Sequence, residues 1–196
     1  YTAQYTETVR TYGYVFLDAK GEPLSSGEKI DYGTVITPPE NPTKAADDQY
    51  TYTFTGWDPA IDENTTVTGN QEYVAQFDKK TREYTIKFVD EDGNELYKHT
   101  VAYGTKIGYA SDKEAPTKAS TVSVVYAFAG WDSGIEGAAK LGLHDTVAVK
   151  SDLTYTATFT ASPRKYTVKF LSEDGSVSLA EYEVEYGKNA VYGIDK

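Results

Sequence analysis

The chain has 196 residues, and its 30 acidic side chains outnumber 19 basic ones to give a formal net charge of −11. Hydrophobic residues make up 39% and aromatic residues 14%, enough to build a core, which excludes wholesale disorder. The acidic balance argues against nucleic acid and anionic membranes as partners, no apolar run approaches the ~18 residues of a spanning helix, and the lack of cysteine excludes disulfides and thiolate chemistry.

Four short motifs recur in the same order along the chain. The first, Tyr-x3-Phe with a glycine five residues later, occupies residues 12–21, 84–93 and 166–175. The second, an aliphatic residue followed by x-Tyr-Gly, occupies residues 30–33, 101–104 and 184–187. The third, Tyr-x-Phe-x-Gly-Trp-Asp, occupies residues 52–58 and 126–132. The fourth, Tyr-x-Ala-x-Phe, occupies residues 73–77 and 155–159.

The order of these motifs predicts the domain organisation, because self-similarity at a fixed period is the signature of a repeat protein. Residues 1–5 match the fourth motif, and the chain contains no methionine, so we expect it to be part of a longer protein. The predicted segments are the closing strand of a preceding repeat with its joint (1–10), repeat 1 (11–82), repeat 2 (83–164) and the truncated first half of repeat 3 (165–196).

The joints between repeats vary less than the repeats themselves. The tyrosine that opens each closing motif lies 11 residues before the first tyrosine of the next repeat, and Arg10, Arg82 and Arg164 each lie two residues before that tyrosine. Since loops tolerate insertions at low cost, a joint of constant length predicts a semi-rigid string of domains. Two interpretations of the arginines remain open: each braces its joint, or each is a solvated charge inherited with the repeat.

Alternating residues in the first motif predict a half-buried strand, as at Tyr84, Ile86 and Phe88. A glycine turn then leads to a return strand, and a proline-bearing crossover too irregular for a long helix follows. The Tyr-x-Phe-x-Gly-Trp strand comes next. Simple alternation leaves its tryptophan on the wrong face, so we predict a β-bulge at Gly56 and at Gly130.

Recurrence at alternating positions separates core aromatic residues from candidate contact residues, because the same side chain at the same place in every repeat is typical of a core. The predicted core residues are Phe16, Phe54, Trp57, Phe77, Phe88, Phe128, Trp131, Phe159 and Phe170. The tyrosines that do not match a motif are the candidate exposed ligand contacts, namely Tyr97, Tyr109, Tyr182 and Tyr192.

Few residues point to chemistry. The acidic stretch 90–95 is too short for a calcium loop and is absent from repeat 1, so we interpret it as a hairpin turn. His99 and His144 do not recur, and neither lies beside a Ser-Gly-type nucleophile elbow or a pair of acidic residues. We therefore predict no catalytic, metal or cofactor site and no enzymatic activity.

With these motifs the chain resembles the Listeria–Bacteroides repeat, also called the internalin B-type repeat. The resemblance covers almost the whole chain, although residues 134–150 form an insertion in repeat 2. It implies an α+β, mostly β fold: tandem small β-grasp-like (ubiquitin- or SUMO-like) domains with a mixed sheet and little helix. It also implies an extracellular place, in secreted or wall-attached proteins at the surface of Gram-positive and gut bacteria.

The function that the resemblance implies is that of a non-catalytic stalk or spacer with a part in adhesion or protein–protein interaction. The alternative is a dedicated module that binds a glycan or a host protein through exposed tyrosines and the insertion 134–150. Because an isolated hairpin is marginally stable, we also expect self-association in which residues 1–5 of one copy pair with residues 166–196 of the next, head to tail.

Overall fold

The structure is a computed structural model that describes residues 1–193, and in that range it contains strands, turns and loops but no helix. The chain forms two compact units, one ending at Arg82 and the other beginning at Glu83. In both units, the strands lie where the sequence predicts them and are rich in Leu, Val, Ile, Thr and aromatic residues.

The first unit contains repeat 1, which is a four-stranded mixed sheet. Its strands are β1 (Thr11–Leu17), β2 (Pro23–Asp31), β3 (Tyr50–Asp58) and β4 (Gln71–Thr81). They lie in the order β2-β1-β4-β3. The central strands β1 and β4 are parallel, and each pairs antiparallel with its outer neighbour. The crossover from β2 to β3 is an irregular loop, and its Val35 forms an isolated bridge with Thr66 in the loop between β3 and β4.

Repeat 2 reproduces this arrangement in the second unit. Its strands are β5 (Glu83–Val89), β6 (Glu95–Ala102), β7 (Lys106–Ile107), β8 (Val124–Asp132), β9 (Val147–Ala148) and β10 (Leu153–Pro163). The main sheet has the order β6-β5-β10-β8, with β5 and β10 parallel. The short strands β7 and β9 form a separate pair where repeat 1 has its isolated bridge. In the same unit, β11 (Lys165–Leu171) and β12 (Ser178–Glu185) form an antiparallel hairpin.

The predicted bulges are confirmed in both repeats. In repeat 1 the ladder between β3 and β4 skips Thr55, and Gly56 has a φ of 145°. In repeat 2 the ladder skips Ala129, and Gly130 has a φ of 117°. The extra residue reverses the alternation. Trp57 and Trp131 therefore lie in the cores, with exposed fractions of 7% and 0%.

Each repeat has its own aromatic core, centred on the phenylalanine of its first strand. The Phe16 ring lies 4.7 Å from Trp57 and stacks on Tyr73 at 5.0 Å. In repeat 2 the Phe88 ring makes the equivalent contacts with Trp131 at 4.9 Å and Tyr155 at 5.4 Å. Four of the other predicted core residues are partly buried and pack around these clusters: Phe54, Phe77, Phe128 and Phe159. Phe170 is only half-buried, because among the described residues β11 has a neighbouring strand on one side alone.

The mostly β class is confirmed, whereas the α+β class is not, because residues 1–193 contain no helix. The crossovers at residues 34–49 and 108–123 are irregular loops that hold the prolines of the predicted crossover segments. Proline lacks an amide donor and disfavours helical geometry in the residue before it. Three prolines within five residues, at 38–42, therefore leave no room for a helix in repeat 1.

Candidate functional site: the joints between repeats

Consecutive repeats are joined by a single residue. β4 ends at Thr81 and β5 begins at Glu83, with Arg82 between them. In the same way, Arg164 is the one residue between the end of β10 and the start of β11. The constant spacing of 11 residues in the sequence is thus a closing strand followed directly by the next opening strand.

Both arginines bind the same loop of the repeat that they close. The Arg82 amide donates to the carbonyl of Gln49 at 2.9 Å, and its guanidinium donates to the carbonyl of Asp47 at 2.8 Å. At the second joint, the Arg164 amide donates to the carbonyl of Ser123 at 2.8 Å. The Arg164 Nε donates to the carbonyl of Thr121, also at 2.8 Å. The two loops are equivalent, since each leads into the Trp-bearing strand.

A side chain closes each of these loops into a tight turn. The Asp47 carboxylate accepts from the amides of Gln49 and Tyr50 and from the Tyr52 hydroxyl, at 2.7–2.8 Å. The hydrogen bond from Tyr52 is the largest cause that lowers the pKa of Asp47, and the same bond raises the pKa of Tyr52. In repeat 2 the hydroxyl of Thr121 takes the place of the carboxylate and accepts from the Val124 amide at 3.0 Å. Asp and Thr can both close such a turn, which is why the position conceals its equivalence in the sequence.

A lysine also holds the loop against the sheet in both repeats. Lys44 lies over the ring of Tyr52 at 4.0 Å, and Lys118 lies over the ring of Tyr126 at 4.8 Å. In addition, Lys118 forms an ion pair with Glu91. Sequence reasoning missed these lysines, although each lies eight residues before the tyrosine that opens the third motif.

In the second unit, the joint ties repeat 2 to the hairpin that follows it. The Arg164 carbonyl accepts from the Tyr186 amide at 2.7 Å, at the end of the hairpin. The Tyr166 hydroxyl donates to the carbonyl of Val122 at 2.6 Å, in the same loop that Arg164 binds. Arg164 therefore makes hydrogen bonds on both sides of its joint. The guanidinium itself binds only the repeat that it closes, so this geometry supports a brace on that side of the joint, and the contact across the joint is made by the backbone.

The four candidate contact tyrosines lie in different environments. Tyr109 is buried, with 8% of its surface exposed and its ring 4.6 Å from that of Trp131, so the prediction of an exposed contact is wrong for this residue. Tyr97 and Tyr182 are half-buried against Phe88 and Phe170. Tyr192 contacts Phe170 but remains 42% exposed.

A recurrence in the sequence would have revealed the burial of Tyr109. It lies six residues after the tyrosine of the second motif, and Tyr192 lies at the same distance after the equivalent tyrosine. Both rings contact the phenylalanine of the first motif of their repeat. Tyr109 and Tyr192 are thus the same position of two repeats, where repeat 1 has Pro38.

Part of the insertion 134–150 packs against the core of repeat 2. The backbone of Leu141 pairs with that of Trp131, and the indole Nε1 donates to the carbonyl of Leu143 at 3.4 Å. Both leucines pack against the core of repeat 2, which explains why Trp131 is fully buried. Residues 134–140 are exposed, and Ile135 presents 53% of its surface.

The acidic stretch after β5 closes a hairpin turn in the structure. The Asp90 carboxylate accepts from the amides of Asp92 and Asn94 at 2.9 and 2.8 Å. Over residues 1–193, no group of three or more His, Asp or Glu side chains is arranged to hold a metal ion. His99 stacks on Tyr97 with the ring centroids 6.1 Å apart, and His144 is exposed.

Within residues 1–193, no helix is long and apolar enough to cross a membrane.

The strand register limits the expected head-to-tail pairing. Closing strands place their tyrosine opposite the phenylalanine of the first strand, and the parallel ladder extends from two residues before that tyrosine to one after it. In the same place, Tyr1 would lie opposite Phe170 and Thr2 opposite Leu171. Residues 1–5 are exposed and form no strand here. Head-to-tail pairing stays a prediction, with only two residues of the tail inside the ladder.

The two sheets share the same strand order, the same bulge and the same arginine-bound turn. These shared features define the chain as a tandem array of small β repeats. The model of the Listeria-Bacteroides repeat domain matches residues 13–80 and 84–158. The chain belongs to this family.

Two solved structures are similar to parts of this chain. One contains domains 3–4 of the Streptococcal High Identity Repeats in Tandem (SHIRT) from a cell surface protein, at 16% identity and a TM-score of 0.34. The other is the crystal structure of Mub-RV, at 16% identity and a TM-score of 0.19. Each comparison covers 79% of this chain and all of the other. No curated protein matches the chain.

Proposed function

We propose that this chain is a non-catalytic segment of a secreted or cell-wall-attached bacterial surface protein, where it acts as a spacer that resists tension. Its membership of the Listeria–Bacteroides repeat family supports this proposal. So does the chemistry of the interior, since the side chains buried within residues 1–193 are aliphatic or aromatic, and none of them is charged. Contacts with a host or bacterial partner would be made by exposed surfaces of the same segment.

The observation that carries the proposal is the parallel pairing of the strands on which tension would act. Tension enters repeat 1 at the start of β1 and leaves it at the end of β4, and these two strands pair over Tyr14–Leu17 and Gln71–Val74. Because the strands are parallel, the two forces pull them in opposite directions along their length. Their hydrogen bonds are then loaded together in shear. β5 and β10 have the same arrangement in repeat 2.

The joints support this function because tension passes through them without a flexible linker. One arginine separates the closing strand of a repeat from the next opening strand. A Gly/Ser-rich linker would extend as a random coil at low force. A single residue leaves almost no slack.

The finer fold assignment that we propose is a β-grasp sheet without its helix. Two antiparallel hairpin-like halves flank a parallel central pair in the order β2-β1-β4-β3. In this assignment, the crossover loop takes the position of the helix. The loop, the Trp residue and the aromatic side chains of the sheet enclose the core that a helix would otherwise cover.

Single-molecule pulling in two directions tests the proposed resistance to tension. The chain has no cysteine, so pairs of introduced cysteines provide unique attachment points. Thr11→Cys with Thr81→Cys loads β1 and β4 in shear. Lys20→Cys with Thr81→Cys pulls both strands from the same end and opens their bonds one at a time. We expect the shear geometry to require a several-fold higher unfolding force.

Each double variant is its own control, because its stability without force is measured by urea unfolding. Equal unfolding forces in the two directions, at equal stability, would refute the shear arrangement. The equivalent pair in repeat 2, Glu83→Cys with Pro163→Cys, should repeat the result. Failure there alone would limit the function to repeat 1.

A further inference from the structure

Two lysines that form no ion pair within residues 1–193 face each other on the outer side of the repeat 2 sheet. Lys87 on β5 lies directly opposite Lys98 on β6. Both are exposed, and they point away from the core because Ile86 and Phe88, the neighbours of Lys87, are fully buried. Cβ atoms of residues directly opposite in an antiparallel pair lie ~4.5–5.5 Å apart, and like charges there destabilise the sheet.

The described part of the chain pairs neither lysine with an acidic side chain in an ion pair, although the Asp152 carboxylate lines the same groove. Its three ion pairs involve Lys118, Lys140 and Lys169, and neither Lys87 nor Lys98 takes part in one. A sheet normally places opposite charges across from each other. The third hairpin does so at the equivalent position, where Lys169 lies opposite Glu181 at 3.0 Å. Repeat 2 therefore lacks the stabilising pair of opposite charges that the third hairpin has at the equivalent position.

The lysines line a groove with hydrogen-bonding groups around them. The groove has a volume of about 390 Å³ and is lined by Thr85, Lys87, Lys98, Asp152, Leu153 and Thr154. This volume falls in the ~300–1,000 Å³ range of small-molecule sites. The Asp152 carboxylate accepts from the Thr85 amide at 2.6 Å and keeps its negative charge, so two lysines and one aspartate give the lining a net charge of +1. Two ammonium groups and the Thr154 hydroxyl remain to bind an anion with polar substituents. The Thr85 hydroxyl shares a hydrogen bond with that of Thr100 at 2.8 Å and can make one more.

We propose that this groove binds an oligosaccharide that carries a carboxylate or sulfate group. The ammonium groups would bind the anion as point charges, and the threonine hydroxyls would bind neighbouring sugar hydroxyls. The net charge of −11 does not oppose this, because at physiological ionic strength charges farther than ~8 Å are largely screened. This site differs from the exposed tyrosines and the insertion, and it does not depend on the spacer function.

Repeat 1 provides an internal negative control. It has a groove in the equivalent place, lined by Val15 and Ser26 where repeat 2 has the two lysines. Glu72 takes the place of Thr154 there, and Glu28 adds a second carboxylate. The lining of the repeat 1 groove thus carries two negative charges and no positive one, whereas that of repeat 2 carries a net charge of +1. A ligand recognised by its charge should distinguish them.

Amide chemical shifts of the ¹⁵N-labelled full chain test the proposal. The probes are sialyllactose for the carboxylate, a sulfated heparin disaccharide for the sulfate, neutral lactose and inorganic sulfate. We expect one of the two anionic sugars to shift the amides of Thr85, Lys87 and Lys98, and to leave Val15 and Ser26 unchanged. Shifts with lactose alone, equal shifts in both repeats or no shifts would overturn the proposal. Inorganic sulfate binding as tightly as the sugars would overturn the sugar assignment.

A charge reversal gives the second measurement. Lys98→Glu copies the opposed pair of the third hairpin, and we expect it to weaken binding at least tenfold while raising the urea midpoint of repeat 2. Lys150→Glu is the matched control, because it makes the same change of charge at an exposed lysine outside the groove. Equal weakening by both variants would assign the binding to the overall charge. Unchanged affinity in the Lys98→Glu variant would show that the lysine pair is not the site.

Discussion

Gly56 and Gly130 occupy the same bulge in the two repeats but have different surroundings. Both have a positive φ that side chains rarely adopt. A Cβ at Gly130 would lie 2.7 Å from the carbonyl oxygen of Leu141, whereas a Cβ at Gly56 would meet nothing within 4 Å. The insertion creates this difference. It brings its backbone against the bulge and pairs with the tryptophan that follows.

The same substitution at both positions therefore separates backbone strain from steric clash. We expect Gly56→Ala to lower the free energy of unfolding of repeat 1 by about 1–3 kcal/mol, the cost of one strained residue. Gly130→Ala should cost repeat 2 more, because Leu141 must also move. Amide hydrogen exchange resolves the two repeats in one chain. Equal costs would show that the insertion yields without strain.

Residue patterns predicted the bulge but not every burial. The bulge followed from a contradiction, because a bare strand leaves Trp57 and Trp131 on the outer face. Tyr109 was assigned to the surface because its recurrence with Tyr192 lies outside the four motifs. The turn at Asp47 and Thr121 was hidden for a different reason. A carboxylate and a hydroxyl both accept a hydrogen bond from the backbone amide three residues later. The residue type at this position therefore differs between the repeats, while the geometry of the turn is the same.

At the scale of elements, the joint is the point where the closing strand of one repeat continues into the opening strand of the next. Arg164 forms the hydrogen bonds at the second joint. Its guanidinium donates one hydrogen bond to the carbonyl of Thr121, while its backbone bonds the same loop at Ser123 and the end of the hairpin at Tyr186. Removing the side chain leaves the backbone bonds in place. The substitution therefore tests the brace without removing the joint.

We expect Arg164→Ala to loosen the loop at residues 121–123, and with it the hairpin β11–β12 that Tyr166 attaches to this loop, while the core of repeat 2 stays intact. Hydrogen bonds from charged groups contribute about 1.5–3 kcal/mol, and partial exposure of this one reduces the effect to about 1 kcal/mol. The amide of Tyr186, which donates to the Arg164 carbonyl, should then exchange about fivefold faster. Lys165→Ala is the control at the adjacent exposed residue. Equal exchange in both variants would assign the arginine to a solvated surface.

Strand positions were predicted well because alternation, glycine turns and repetition agree in this chain. The pairing of distant strands was a different matter. Nothing within Tyr73–Phe77 specifies that it lies parallel to β1, so the mixed sheet came from the resemblance alone. The pair β7–β9 was not anticipated, since two residues are too few to show a period. The constant spacing of the joint arginines is visible in the sequence. It does not specify their hydrogen-bond partners, which lie in a loop about 35–43 residues away.

Across the whole molecule, carboxylates recur in the turns that close the first hairpins. The pKa of Asp18 is lowered by backbone amides, that of Asp90 chiefly by the Asn94 side chain, and that of Asp174 to about 2 chiefly by the hydroxyls of Ser172 and Ser176. All three accept hydrogen bonds that only the folded chain supplies. Their ionised forms therefore favour the folded state.

The sign of the pH dependence follows from these lowered values. An unfolded aspartate binds a proton near pH 3.8, before its folded counterpart does, so acid favours unfolding. The stabilisation is complete at about pH 5 and is lost progressively as the pH falls through 3.8 towards 2. A second effect opposes this one at higher pH. The net charge of −11 at pH 7 repels itself and approaches zero near the pI of 4.6, so stability should rise as the pH falls from 7 to 5.

Urea unfolding between pH 7 and 2.5 tests both effects, and salt separates them. At low ionic strength we expect a stability maximum near pH 5 and a steep loss below pH 4. In 1 M NaCl the Debye length falls to ~3 Å, so the rise from pH 7 to 5 should disappear while the acid loss stays, because hydrogen bonds within a turn are too short to be screened. Asp90→Asn should flatten the acid loss of repeat 2 and leave that of repeat 1 unchanged. Stability that is flat below pH 4, or an acid loss that salt abolishes, would show that the turn carboxylates do not stabilise the fold.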